Sequence, residues 1–169
     1  MMQNKKKFKY SGLKELLILE TLKNYNNSIV NDALRYSKNA NKIIDFGAGI
    51  GTLSMIFRNK HKKNPLCIEI DQTNINYLKK RNFNYLESIE FLPDTVDLIF
   101  SSNVLEHIED DYQTINSFKK ILNNNGTLFL YVPAKMILWT KLDEIVGHYR
   151  RYEITKLKKL VEKSGFKIV

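Results

Sequence analysis

The chain has 169 residues, of which 43% are hydrophobic and 27% charged, and it carries one cysteine, Cys67. That length suits a single domain able to bury about 70% of its unfolded surface, and a lone cysteine excludes an internal disulfide. No apolar run reaches the ~18–20 residues of a membrane span, and the basic start Lys5-Lys6-Lys7 precedes no signal-peptide core, so a cytoplasmic protein is expected. The net charge of +9 reads as the Lys-, Asn- and Ile-rich bias of the whole chain, not as a polyanion site.

Residues 1–9 read as a solvated basic tail, and residues 10–169 as one domain. From Ser11 to about Lys38 the apolar spacing is helical, with Asn24 to Asn27 expected to separate two helices; these N-terminal helices occupy residues 10–40. The period then changes. Ile43-Ile44-Asp45-Phe46 is a short apolar run ending in glycines, the pattern of a buried strand. A helix opens at Leu53, a second strand spans Leu66 to Ile70, and a helix with Ile75 and Leu78 inward spans Asn74 to Arg81. Phe83 to Leu86 reads as a third strand and Val96 to Ser101 as a fourth, continuously apolar as in a strand covered on both faces. Asp110 or Asp111 can cap a helix over Asp111 to Leu122, which Asn123 to Gly126 ends. Thr127 to Val132 is the fifth strand. Residues 133–152 read as an irregular loop, followed by a helix from Thr155, capped by that residue, to Ser164. Phe166 to Val169 would start one more strand. Strands alternating with helices at this spacing predict βαβ units and a mostly parallel sheet, which binds ligands beyond the carboxyl ends of its strands.

The segment Asp45-Phe46-Gly47-Ala48-Gly49-Ile50-Gly51 sits where a strand meets a helix. Its glycines allow a sharp turn and close approach of backbone to a ligand. The spacing G-x-G-x-G is not the dinucleotide fingerprint, because Thr52 stands where its last glycine or alanine belongs, and no Gly-Lys-Ser/Thr phosphate cradle follows. Asp45 can accept from an ammonium group or from backbone amides. Glu69, about 20 residues on at the next strand end, can bind two ribose hydroxyls; Asp71 is its rival and the better helix cap. Loop and carboxylate together describe a nucleoside with a polar tail. His148 can remove a proton from an acceptor, whereas His107, among acids at a helix start, reads as structural. No His, Cys, Asp and Glu spacing reads as a metal site.

Asp45 to Gly51 resembles motif I of class I S-adenosylmethionine (SAM)-dependent methyltransferases, and Cys67-Ile68-Glu69-Ile70-Asp71 resembles their ribose-binding strand end. With Asn103-Val104-Leu105-Glu106-His107-Ile108-Glu109-Asp110-Asp111 and Gly147-His148-Tyr149-Arg150-Arg151-Tyr152, the chain is similar over about residues 25–169 to a bacterial branch of small, type 11/23-like methyltransferases often found beside or fused to glycosyltransferases. The resemblance implies a Rossmann-like three-layer sandwich with strand order 3-2-1-4-5-7-6. It implies SAM as cofactor: Gly47, Ala48, Gly49 and Gly51 cradling its methionine part, Asp45 supporting the loop, Glu69 and Ile70 at the ribose, Glu87 at the adenine, and Ser102 and Asn103 at the methyl group. It places Trp139, Asp143, Tyr149 and Arg150 with His148 on the acceptor side. The acceptor is expected to be a small molecule, a glycan or a lipid-linked intermediate. A nucleic acid is not expected, since Ser101-Ser102-Asn103-Val104 stands where amino-methylating nucleic-acid enzymes carry Asn/Asp-Pro-Pro-aromatic. Against the family pattern, the chain ends within the expected strand six and lacks strand seven. A C-terminally truncated sheet with an open strand-five edge is therefore expected, where a second copy could pair.

Overall fold

A computed structural model of the chain describes residues 12–169; the expected basic tail at residues 1–9 lies outside the described residues. The chain order is α1 (Leu13–Glu20), α2 (Lys23–Arg35), β1 (Ile43–Phe46), α3 (Thr52–His61), β2 (Leu66–Ile68), α4 (Gln72–Lys80), β3 (Tyr85–Leu86), β4 (Val96–Ser102), α5 (Asp111–Ile121), β5 (Leu122–Tyr131), α6 (Lys141–Ile145) and α7 (Ile154–Lys163), with short 3-10 turns at Ile89–Phe91, Leu105–His107 and Met136–Leu138. The five strands form one sheet in the order β3-β2-β1-β4-β5, and every pair is parallel.

Each crossover helix must bury its apolar stripe on the sheet, and alternation along the strands supplies two faces. Ile43, Leu98 and Phe100 meet Ile29, Val30 and Ala33 of α2 and Phe57 of α3 on one side. Ile44 and Ile99 meet Phe118 of α5 on the other. α7 joins this second layer through Leu157, Leu160 and Val161, packed around Leu105, Ile115 and Tyr152. The result is the expected three-layer α/β sandwich. The order in which strands are added reverses between β1 and β4, and a crevice opens there, at the carboxyl ends of the strands.

The helix breaks fall where side chains end them. The first lies at Thr21–Leu22, not at Asn24 to Asn27: Thr21 Oγ1 donates to Ile18 O at 2.7 Å, and Asn26, buried inside α2, donates to Leu19 O at 2.8 Å. Asp71 caps α4, accepting from Thr73 N and Asn74 N. Asp110 caps α5 through Gln113 N. Thr155 is not a cap; α7 starts after Glu153, whose carboxylate accepts from Met136 N. β5 begins earlier than Thr127, but β4 and β5 lose register between the pairs Val96–Leu122 and Leu98–Thr127, so Asn123 to Gly126 is the irregular stretch. The loop of residues 133–152 contains α6, closed by a capping box between Thr140 and Asp143. Phe166 to Val169 forms no strand; Phe166 packs into the core instead, under the Lys119 ammonium. β5 is thus an edge of the sheet among the described residues.

Candidate active site

A cleft of about 1450 Å³ spans the carboxyl ends of β1, β2 and β4. The glycine loop after β1 forms its floor, fastened to β2 by bonds from Gly47 N and Ala48 N to Ile68 O at 2.9 and 3.1 Å. Gly47 has φ +73°, and a Cβ there would lie 2.3 Å from Val104 Cγ2, so the loop slides beneath the segment that follows β4. Gly49, also at positive φ, lies under Leu16 of α1, which roofs this end of the cleft. Arg81 holds the roof, pairing with Glu20 at 2.8 Å and donating to Ile50 O at 2.7 Å. Gly51 departs from its expected role. It faces the hydrophobic layer, where a Cβ would meet Leu78 at 2.8 Å, and it starts α3 instead of lining the cleft.

Two buried acids flank the loop. Glu69 Oε2 accepts from Gly49 N at 2.8 Å, and Oε1 accepts from Ile70 N and Asp71 N at 2.8 and 2.9 Å. Three of its roughly four lone-pair sites are used, so Glu69 clamps the loop and keeps acceptor capacity on Oε2. Burial raises its pKa, against those three bonds. Asp45 accepts from Ser54 Oγ of α3 at 2.6 Å. Burial pushes its carboxyl up to about 7, the Ser54 bond opposes this, and the Glu69 charge adds to it. Ile70, 69% exposed, and Glu87 line the cleft beyond Glu69. Ser102 and Asn103 line its opposite end; Asn103 takes φ +54° and donates its N–H to Tyr131 O at 2.7 Å.

The cleft continues into a second polar cluster, supplied by the turn after β4 and by the 133–152 loop. Asp143 is 1% exposed and accepts from Arg151 Nε and Nη2 at 2.8 and 2.9 Å and from Thr140 N at 2.8 Å. Although burial works against it, these donors, the Arg151 guanidinium first, hold its carboxyl well below the usual carboxylate range. Its Oδ1 also lies 2.7 Å from His148 Nδ1. His148 Nε2 then lies 3.8 Å from Glu106 Oε1, and the His107 ring meets the His148 ring edge-on at 4.5 Å. Burial lowers the His107 pKa to about 4, so its imidazole is neutral.

Three expected acceptor-side residues lie outside the cleft lining. Trp139 stands behind His148, ring centroids 6.4 Å apart. Tyr149 is 49% exposed, and only its backbone reaches inward, N–H to Glu106 O at 2.8 Å. Arg150 donates to Ile108 O and Glu109 O and pairs with Asp111 at 3.0 Å. It pins the strand-four turn, and its neighbour Arg151 is the arginine at the cleft.

A methyltransferase domain family matches residues 18–169. The chain belongs to that family. The methyltransferase shares its fold with solved SAM-dependent methyltransferases. One, from Thermotoga maritima and described as a possible histamine N-methyltransferase, is 16% identical, with 93% of this chain and 79% of that one covered and a TM-score of 0.71. Another, from Archaeoglobus fulgidus, is 17% identical, with 90% and 74% covered and a TM-score of 0.67. Phosphoethanolamine N-methyltransferase 2 of Haemonchus contortus, solved with SAM, is 18% identical; the match covers 85% of this chain but 36% of that one, at a TM-score of 0.67. No curated protein sequence matches this chain.

Several residues of the methyltransferase's cleft carry no sequence signal. Ser54 and Glu106 gain no role from residue type or spacing, and Tyr25 falls within the stretch expected to break two helices. Tyr25 lines the cleft from α2, and burial pushes its hydroxyl up to about 12. Glu106 is wholly buried. Only the docking of the 133–152 loop onto the turn after β4 brings Glu106, His107, Asp143, His148 and Arg151 together.

Proposed function

We propose that the enzyme transfers the methyl group of SAM to a small-molecule acceptor held between Asn103 and the Asp143–His148 pair. SAM is the methyl donor. Its methionine part lies on Gly47, Ala48 and Gly49, its ammonium toward Asp45, its ribose at Glu69 and Ile70, and its adenine at Glu87. The observation that carries this reading is the continuity of the cleft, which runs from the glycine loop to His148 without a break. The sulfonium is already an excellent leaving group, so the protein mainly aligns an acceptor for in-line attack. Asp143 binds His148 Nδ1 and leaves Nε2 to take the acceptor's proton. Glycans and lipid-linked intermediates are acceptors of suitable chemistry, and the reaction takes place in the cytoplasm. Among the described residues no helix is long and apolar enough to cross a membrane.

Titration calorimetry with S-adenosylhomocysteine tests the cofactor half. Micromolar binding by the wild type, lost in Glu69→Ala with the circular dichroism unchanged, is the expected result. A folded wild type that binds neither SAM nor its product would overturn the reading.

A further inference from the structure

Glu106 presents a chemical problem that methyl transfer alone does not solve. It is 0% exposed, and beyond a contact with its own backbone amide neither carboxylate oxygen accepts a hydrogen bond. A buried carboxylate without donors is costly unless it keeps a proton or receives a cation. Arg151, whose charge reaches Glu106, is committed, since it gives both Nε and Nη2 to Asp143. What faces Glu106 instead is a pair of imidazoles: one ligand atom each from Glu106, His107 and His148 lie within 4.8 Å of one another. All three residues line the cleft.

The surroundings match those of a metal site. Ligating histidines are oriented by a carboxylate on their second nitrogen, which fixes the tautomer. Asp143 does this for His148 at 2.7 Å, leaving Nε2 directed at Glu106. Asp143 is in turn anchored by Arg151 and Thr140. Ligands around an ion at ~2.1 Å stand about 3.4 Å apart, so small side-chain rotations close the observed spread. Two imidazoles and one carboxylate suit Mn(II), Fe(II), Co(II) or Zn(II) better than Mg(II), which prefers oxygen ligands.

We propose that Glu106, His107 and His148 ligate a divalent first-row transition-metal ion at the acceptor end of the cleft, and that the ion's open positions hold the acceptor through an oxygen atom. This rests on the methyl-transfer reading for its purpose, though the binding site stands without it. With the ion present, His148 Nε2 ligates instead of taking a proton. The ion lowers the pKa of the bound hydroxyl, so its proton passes to water in the cleft, and the oxygen left beside the methyl group forms the new O–CH3 bond as the S–CH3 bond breaks and S-adenosylhomocysteine leaves. The acceptor class narrows accordingly to hydroxyl compounds.

Co(II) is the probe. The metal-stripped full chain, titrated with Co(II), should take up one ion per molecule and develop visible d–d absorption. The chain has three histidines, so His61→Ala serves as a control that leaves the signal intact. His148→Asn and Glu106→Gln should each weaken uptake at least a hundredfold, and Asp143→Asn about 10- to 100-fold through the lost orienting bond. S-adenosylhomocysteine affinity, measured on each variant, confirms that the fold is kept and separates the two ideas. A folded, cofactor-binding wild type with no d–d absorption overturns the metal site and leaves methyl transfer standing, as does uptake that His148→Asn and Glu106→Gln leave unchanged. Stoichiometric Co(II) uptake lost in those variants, in a chain that binds no cofactor, supports the site and sinks the methyl-transfer reading instead.

Discussion

The two ends of the cleft are built differently. At the glycine-loop end, the cleft surface is backbone held by the next strand of the same βαβ unit: Gly47 and Ala48 bond Ile68, and Gly49 bonds Glu69. At the His148 end, groups 41 to 43 residues apart in sequence meet: Arg150 bonds the carbonyls of Ile108 and Glu109, Tyr149 N bonds Glu106 O, and Tyr152 Oη bonds Asp111. The first end is a strand-turn-helix unit whose shape follows from where glycine is allowed. The second exists only when one loop docks on another. Cofactor binding should therefore be sensitive to single backbone positions, and acceptor chemistry to charge pairs.

The largest effect is expected at Gly47. Gly47→Ala places a methyl 2.3 Å from Val104 Cγ2 at φ +73° and should abolish cofactor binding while costing about 3 kcal/mol or more in stability. Thermal melting and calorimetry measure both. Val104→Ala in the same chain should restore part of the stability by relieving the clash; if it restores none, the contact does not set the loop's position.

Asp45 comes next. Its carboxyl is raised from 3.8 to about 7 in the folded chain, so the folded state holds the proton more tightly than the unfolded one. The associated stability is present below pH 3.8 and is lost as the pH rises through about 7. At 1.36 kcal/mol per pH unit the full loss is at most about 4 kcal/mol. Asp45→Asn should accordingly stabilise the ligand-free protein most at pH 8, by less than half as much at pH 5, and scarcely below pH 3.8, by urea denaturation. A cofactor ammonium favours the ionised form, so binding should release a proton below pH 7. Calorimetry in buffers of different ionisation enthalpy detects this, and Asp45→Asn should remove it.

Glu69→Gln replaces an acceptor of three N–H bonds with one that can present only a single oxygen. Hydrogen bonds to a charged group contribute about 1.5–3 kcal/mol each, so S-adenosylhomocysteine affinity should drop about 10- to 100-fold. An equal drop in Co(II) affinity would break the separation of the two ends.

The smallest effects distinguish the two neighbouring arginines and Tyr149. Arg150→Ala should cost about 1 kcal/mol in stability with little change in kcat, because its ion pair with Asp111 is partly solvent-screened. Arg151→Ala should lower kcat and cost more stability than Arg150→Ala, because it leaves the buried Asp143 carboxylate without its fork. Tyr149→Phe, at a half-exposed ring, should stay within about 0.5 kcal/mol of wild type in stability and change neither rate nor affinity.

Much of the fold was legible because its signals are local. The apolar runs at Ile43 and Val96, the helical spacing of Ile75 and Leu78, and the caps Asp71 and Asp110 each act within a few residues. The misreadings came where distant contacts override local preference. Asn24 to Asn27 carries turn-forming residues, yet Asn26 is buried in α2 because its amide finds the Leu19 carbonyl. Phe166 to Val169 has strand-like residues, yet it pairs with no strand among the described residues, and Phe166 fills the core instead.

Sequence by itself determined the α/β class, the mostly parallel sheet, the glycine loop and its acidic partner Glu69. Each is decided by backbone geometry or by periodicity, and both are written in neighbouring residues. Tertiary structure alone decided that Gly51 packs against Leu78, that Arg151 and not Arg150 reaches the cleft, and that Glu106, His107 and His148 converge. A side chain's charge and type are visible in a sequence, but which groups it faces, and whether water reaches it, depend on how the loop of residues 133–152 lies on the turn after β4.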